Sequence, residues 1–176
     1  MATNTAPGFL RSFAFERFAF APQVIDKVRE EAKDAVISTA VPRISAFDID
    51  PKAIKLALKH AENAGMRQYI HFQTADMRTV SSRFSHGVIV ANPPYGERLL
   101  KEEELKTLYR DFGKVYRNLD EWSCYTLTAF NAFEKFFGQK ADKVRKLYNS
   151  ELECRLYQFL GAPPKRRENE SVSSES

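Results

Sequence analysis

Pro93 and Pro94 follow directly on the apolar run Val88-Ile89-Val90 and the pair Ala91-Asn92, and they restrict this part of the chain more than any other feature. The run is short and rich in β-branched residues, which reads as a buried strand. Proline donates no backbone hydrogen bond, and two in succession exclude both a continued ladder and an immediate helix. The chain must therefore leave its sheet at the carboxyl edge, where open α/β sheets place their ligands. Asn92 is held at that tip beside the carbonyl of Pro93. An amide oxygen and a carbonyl oxygen at adjacent positions can take both hydrogens of a planar exocyclic amine. That turns the nitrogen lone pair towards an electrophile, which is catalysis by orientation. Tyr95 offers a ring on which a flipped-out base can stack. Asn92-Pro93-Pro94-Tyr95 is equally an ordinary turn sequence, so the surroundings must decide.

A chain of 176 residues, 43% apolar and 28% charged, suffices for one globular domain with a core. The domain is expected over residues 1–162. From Pro163 onward prolines, charges and serines without apolar anchors predict a disordered tail over 163–176. No apolar stretch approaches the roughly 18 residues needed to cross a membrane, and there is no signal-peptide pattern, so a cytoplasmic protein without membrane contact is expected. Cys124 and Cys154 lack CxxC spacing and a histidine partner. They read as buried free thiols, with no metal site. A net charge of +4 favours nucleic acid as a partner.

The rest of the chain alternates helix and strand. Phenylalanines at 9, 13, 15, 18 and 20 with Arg11 and Arg17 form either a stacking surface for RNA or, as favoured here, a segment folding onto the core. Val24, Ile25, Val28, Ala32 and Val36 predict a helix covering a sheet. Ile44 to Phe47 reads as a strand ending at Asp48, with Asp50 and Pro51 starting a helix that stops at Gly65. Asp48, at a strand end, suits the ribose hydroxyls of a nucleoside cofactor, although it could be a second capping acid. Tyr69 to Gln73 delivers Asp76 to the same edge, where it suits an adenine amino group or is a solvated loop acid; His71 reads as packed or surface. A helix follows over 102–118, then a strand from Trp122 to Ala129 and a short helix ending at Gly138. Val144 to Tyr148 and Leu152 to Phe159 predict a hairpin about Asn149-Ser150. The order implies a mostly parallel sheet finished by antiparallel strands. Over residues 134–146, Lys135, Lys140, Lys143, Arg145 and Lys146 lie against only Glu134 and Asp142, a candidate phosphate-facing patch or ordinary solvated charges.

Strands carrying Asp48, Asp76 and Asn92-Pro93-Pro94-Tyr95, in that order, resemble a class I S-adenosylmethionine-dependent methyltransferase of Rossmann-like fold. The longer string Asn92 to Leu99, with Pro7-Gly8, Arg11 to Glu16, Asp48-Ile49-Asp50-Pro51 and Arg145 to Asn149, resembles the catalytic domain of THUMP-linked ribosomal RNA guanine-N2 methyltransferases. The resemblance spans about residues 7–162. It implies that Asp48 and Asp76 bind S-adenosylmethionine together with Asn92, that Asn92 and Pro93 hold the exocyclic amine, and that Tyr95 stacks on the base. It also implies methylation of guanine N2 in 23S ribosomal RNA by direct transfer, without a metal. Arg98, Lys143, Arg145 and Lys146 are then the candidate RNA contacts.

One departure stands out. Members of that family carry a first strand and a glycine-rich loop of the Asp-Pro-x-Cys-Gly-Ser-Gly-Thr kind ahead of the Pro-Gly segment, whereas the only glycine here before Gly65 is Gly8. The expectation is a truncated or split product with exposed strand edges, needing a separate chain for the glycine loop and the THUMP module. The alternatives are adenine-N6 methylation of DNA or RNA, methylation of protein glutamine amides, and a non-catalytic RNA-binding remnant.

Overall fold

The computed structural model describes residues 6–9, 12–18, 21–37, 42–94 and 101–164. Its contacts divide into two compact units, Met1–Asp76 and Met77–Ser176. The tail expected after residue 162 falls almost wholly outside the described residues.

The first unit begins with two 3-10 turns, Pro7–Phe9 and Ala14–Arg17, followed by α1 (Ala21–Asp34), β1 (Ile44–Asp48), α2 (Pro51–Asn63) and β2 (Ile70–Thr74). β1 and β2 pair in parallel, Ile44 opposite Ile70 and Asp48 opposite Thr74. α2 forms where the sequence signals it: Asp50 Oδ1 accepts from the Lys52 N–H at 2.8 Å, Pro51 takes the first turn, and Gly65 lies beyond the end at φ 65°. Two expectations fail here. Val24 and Val28 of α1 stay 60% and 54% exposed, so the apolar stripe does not cover a sheet. The tie described for α1 is ionic: Arg29 Nη2 donates to both carboxylate oxygens of Glu16 at 3.1 and 3.0 Å. The described amino-terminal phenylalanines do not enter a core either, and Phe20 lies outside the described residues. Phe9, Phe15 and Phe18 are exposed, and half-buried Phe13 stacks on Phe15. Ala61 is the only fully buried residue described in this unit. A two-stranded ribbon has too little apolar surface to close a core.

The second unit holds β3 (Val88–Ala91), α3 (Glu102–Arg117), β4 (Ser123–Thr128), α4 (Phe133–Phe137), β5 (Lys143–Asn149) and β6 (Leu152–Phe159). Its sheet runs β3-β4-β6-β5, parallel between β3 and β4 and antiparallel beyond. The mixed α/β order read from the sequence is present, with the strands divided between two sheets. The hairpin turns on Ser150 and Glu151, one residue later than expected, with Asn149 paired to Leu152 and Ser150 at φ 57°. β3 is an edge, and its Val88 and Val90 are 59% and 82% exposed.

The core is aromatic. Leu105, Tyr109, Phe112 and Tyr116 of α3 meet Phe133 and Phe137 of α4 and Cys124, Tyr157 and Phe159 of the sheet. Tyr109 meets Phe133 edge-on at 4.9 Å between ring centroids, and Phe137 lies 4.6 Å from Phe159. The two helices touch at Gly113, where an added Cβ would collide with the Phe137 carbonyl oxygen. That same oxygen accepts from Arg117 Nη1 at 2.7 Å, and Gly138 follows in the left-handed region at φ 81°. Trp122, just ahead of β4, donates from Nε1 to the Phe84 carbonyl at 2.8 Å and lays its ring where Gly87 has no side chain. Arg78 donates to Asp111 at 2.9 Å, fixing the turn Met77–Thr79 to α3. Both cysteines are buried and free, and burial pushes the Cys124 thiol up to about 11. Among the described residues no helix is long and apolar enough to cross a membrane.

Candidate active site

β3 ends at Ala91, opposite Thr126 of β4, and the next residues are Asn92, Pro93 and Pro94. Asn92 is exposed and the prolines are half-buried. The Pro94 carbonyl accepts from the Tyr109 hydroxyl at 3.3 Å. That hydroxyl lies 2.8 Å from Thr128 Oγ1, which accepts from the Phe130 N–H at 3.1 Å. The Asn92 amide and the Pro93 carbonyl, by contrast, have no hydrogen-bond partner among the described residues. Among the described residues the turn therefore carries two acceptors without a partner and a third that is engaged. Tyr95 and Arg98, also expected here, lie outside the described residues.

Asp48 and Asp76 belong to the first unit and meet at one sheet edge. Asp48 closes β1; its Oδ1 accepts from the Asp50 N–H at 2.8 Å, and its carbonyl accepts from the Ala75 N–H at 3.0 Å. Asp76 follows at once, half-buried, while Asp48 is exposed. Asp48 thus does serve in a local turn, as the capping alternative held. The same bond orients its carboxylate at the carboxyl end of a parallel pair, the position from which ribose hydroxyls are held in open α/β sheets. Asp50 is structural, and His71 sits exposed within β2.

The basic residues of β5 do not form one patch. Successive residues of a strand alternate in face, so Lys143 and Arg145 share one side and Lys146 takes the other. Lys146 bonds Glu153 at 2.7 Å and lies over the Tyr148 ring at 5.4 Å. Its ammonium is held above the ordinary lysine value, first by the hydrogen bond to Glu153. Among the described residues no group of three or more His, Cys, Asp or Glu is placed to hold a metal.

Tyr109, Thr128 and Phe130 are the residues of this site that sequence reasoning missed. Tyr109 was legible only as a position of the amphipathic helix, and Thr128 only as part of a strand. The available signal was the double proline: a turn without donors of its own needs one from elsewhere.

Residues 1–158 match the family model described as RMKL-like, methyltransferase domain. The chain is 36% identical over 160 residues to the ribosomal RNA large subunit methyltransferase K/L of Legionella pneumophila, covering 89% of this chain and 22% of that protein. The crystal structure of SMU.472 complexed with SAH superposes with a TM-score of 0.87 at 38% identity, over 93% of this chain and 44% of the other. A predicted N6-adenine-specific DNA methylase from Listeria monocytogenes superposes with a TM-score of 0.82 at 40% identity, over 91% and 41%. The chain thus spans less than half the length of each of these relatives.

Proposed function

Because the chain belongs to the RMKL-like methyltransferase domain family, we propose that it is the catalytic portion of an S-adenosylmethionine-dependent RNA methyltransferase acting on guanine N2 of 23S ribosomal RNA in the cytoplasm. The observation that carries this reading is the pair of open acceptors, Asn92 Oδ1 and Pro93 O, at the carboxyl end of β3. When bound, S-adenosylmethionine supplies a methyl group made electrophilic by its sulfonium. The residues present fit that cofactor: Asp48, oriented by its own turn, accepts from the ribose hydroxyls, and Asp76 accepts from the adenine amino group. Asn92 and Pro93 take the two N–H protons of the acceptor amine and fix the direction of its lone pair. Once the nitrogen carries the methyl group it is cationic, and it sheds one of its two hydrogen-bonded protons to water, because a neutral amide or backbone carbonyl oxygen is too weak a base to keep it. Tyr95 stacks on the base, and Arg98, Lys143 and Arg145 contact phosphates.

The name of the Legionella relative supports RNA as the substrate, and the SAH complex of SMU.472 supports the cofactor. The Listeria methylase's name supports a second reading, transfer to adenine N6, because the same two acceptors serve any exocyclic amine. The open edge of β3 supports a partner as well: a strand and glycine-bearing loop from polypeptide outside these 176 residues pairs there, with a THUMP module assisting RNA binding.

The test incubates the chain, alone and with the purified glycine-loop segment of a full-length relative, with S-adenosylmethionine carrying a deuterated methyl and with unmodified 23S ribosomal RNA. Nucleoside mass spectrometry is expected to find N2-methylguanosine that Asn92→Ala abolishes. Labelled N6-methyladenosine would favour the second reading. Absence of cofactor binding by calorimetry, with and without the added segment, would remove both.

A further inference from the structure

Asn92, Pro93 and Pro94 have almost no conformational freedom of their own. The two pyrrolidine rings lock φ at 93 and 94 near −65°. The residue before a proline is confined to extended values of ψ, which restricts Asn92 and Pro93. One backbone dihedral in the turn remains free, ψ of Pro94, and it decides where the Pro94 carbonyl points and where the chain proceeds afterwards. Nothing within the turn can set it, because neither proline carries an N–H. The group that sets it comes from α3.

The hydrogen bonds there run in one direction only. A carbonyl accepts and never donates, so the Tyr109 hydroxyl gives its proton to Pro94 O at 3.3 Å. The 2.8 Å contact with Thr128 must then run from the Thr128 hydroxyl to Tyr109 Oη. Thr128 Oγ1 in turn receives the Phe130 N–H at 3.1 Å. Tyr109 and Thr128 are both fully buried, so this chain of three bonds is sheltered from competing water. It joins the turn after β3 to the loop after β4, at the same carboxyl edge.

We propose that Tyr109 is a positioning residue for the acceptor turn. Backed by Thr128, its hydroxyl ties the Pro94 carbonyl to α3, and this anchors the stiff Asn92-Pro93-Pro94 unit and so holds the acceptor pair Asn92 Oδ1 and Pro93 O in place on the core. As a statement about catalysis this rests on the methyltransferase reading above; as a statement about the turn it does not.

Tyr109→Phe removes the donated proton and keeps the ring against Phe133 and Phe130. Thr128→Val breaks the relay one step earlier in nearly the same volume, whereas Thr128→Ser preserves the hydroxyl. The primary measurement is the ¹⁵N-¹H spectrum of the full chain, read at the Asn92 side-chain amide. Tyr109→Phe and Thr128→Val are expected to shift or broaden that resonance pair, and Thr128→Ser to leave it at the parent position. In a reconstituted enzyme that transfers methyl groups, the first two variants should also lower kcat about tenfold while KM for S-adenosylmethionine changes less than about twofold. An Asn92 amide unmoved in both disruptive variants, or moved equally by Thr128→Ser, would overturn the proposal. If the parent transfers no methyl group under any condition, the function is wrong, and the Asn92 spectrum still decides the positioning role.

Discussion

At the scale of single residues, the site depends on groups that do little for stability. Asn92 is exposed and unpartnered among the described residues, so Asn92→Ala is expected to leave the melting temperature unchanged while reducing methyl transfer about a hundredfold, measured as labelled RNA against unfolding by calorimetry. Cys124 is the opposite case. It is fully buried, and burial holds its thiol near 11, far from the thiolate that reacts. Iodoacetamide at pH 8 should leave Cys124 unmodified in the native protein and alkylate it only as the chain unfolds, read by peptide mass spectrometry. Side chains at this scale were only partly legible in the sequence. Asp50 could be assigned as a cap because its partner is two residues away. Tyr109 could not be tied to Pro94, 15 residues distant, because periodicity reports which face of a helix is apolar and not which hydroxyl meets which carbonyl.

At the scale of elements, the contact between α3 and α4 governs the core. Gly113→Ala drives a methyl into the Phe137 carbonyl, which is backbone and cannot turn aside. The expected cost is about 1–3 kcal/mol, checked by urea denaturation, even though alanine is the better helix former in isolation. The Arg78–Asp111 link has a pH signature. The hydrogen bond from Arg78, and then that from Lys114, hold the Asp111 carboxyl below its ordinary value. Its contribution is therefore fully present above the ordinary carboxylate pKa of about 3.9 and disappears as pH falls through the lower native value. Parent and Arg78→Ala should differ in stability at pH 6 and converge near pH 2, by denaturation at each pH. Elements were the most legible level: α3, read over 102–118, spans Glu102–Arg117, and β6 has the bounds expected of it. Where the pattern failed, at α1, the apolar stripe was real and the surface to bury it was not supplied within its unit.

At the scale of the whole molecule, the two units are unequal. The second closes an aromatic core, whereas the first buries only Ala61 among its described residues. Hydrogen exchange should consequently be slowest for amides of β4 and β6 and markedly faster for β1 and β2, measured by mass spectrometry on the full chain. The division of the strands into two sheets follows from pairings that no local pattern encodes: β3 finds β4 across α3, and nothing in Val88-Ile89-Val90 says that β3 pairs with no second strand among the described residues. The sequence pattern identified a buried strand; the structure has Val90 at 82% exposure on an edge.

The chain has a single tryptophan, and the structure ties it to one unit. Trp122 is half-buried, its indole N–H bound to the Phe84 carbonyl and its ring seated over Gly87, all within the second unit. The protein therefore carries an optical reporter of its own. Ultraviolet emission excited at the indole band follows the aromatic half alone, while circular dichroism sums over both, so any dichroic change that leaves the emission untouched is the signal of the half that carries Asp48.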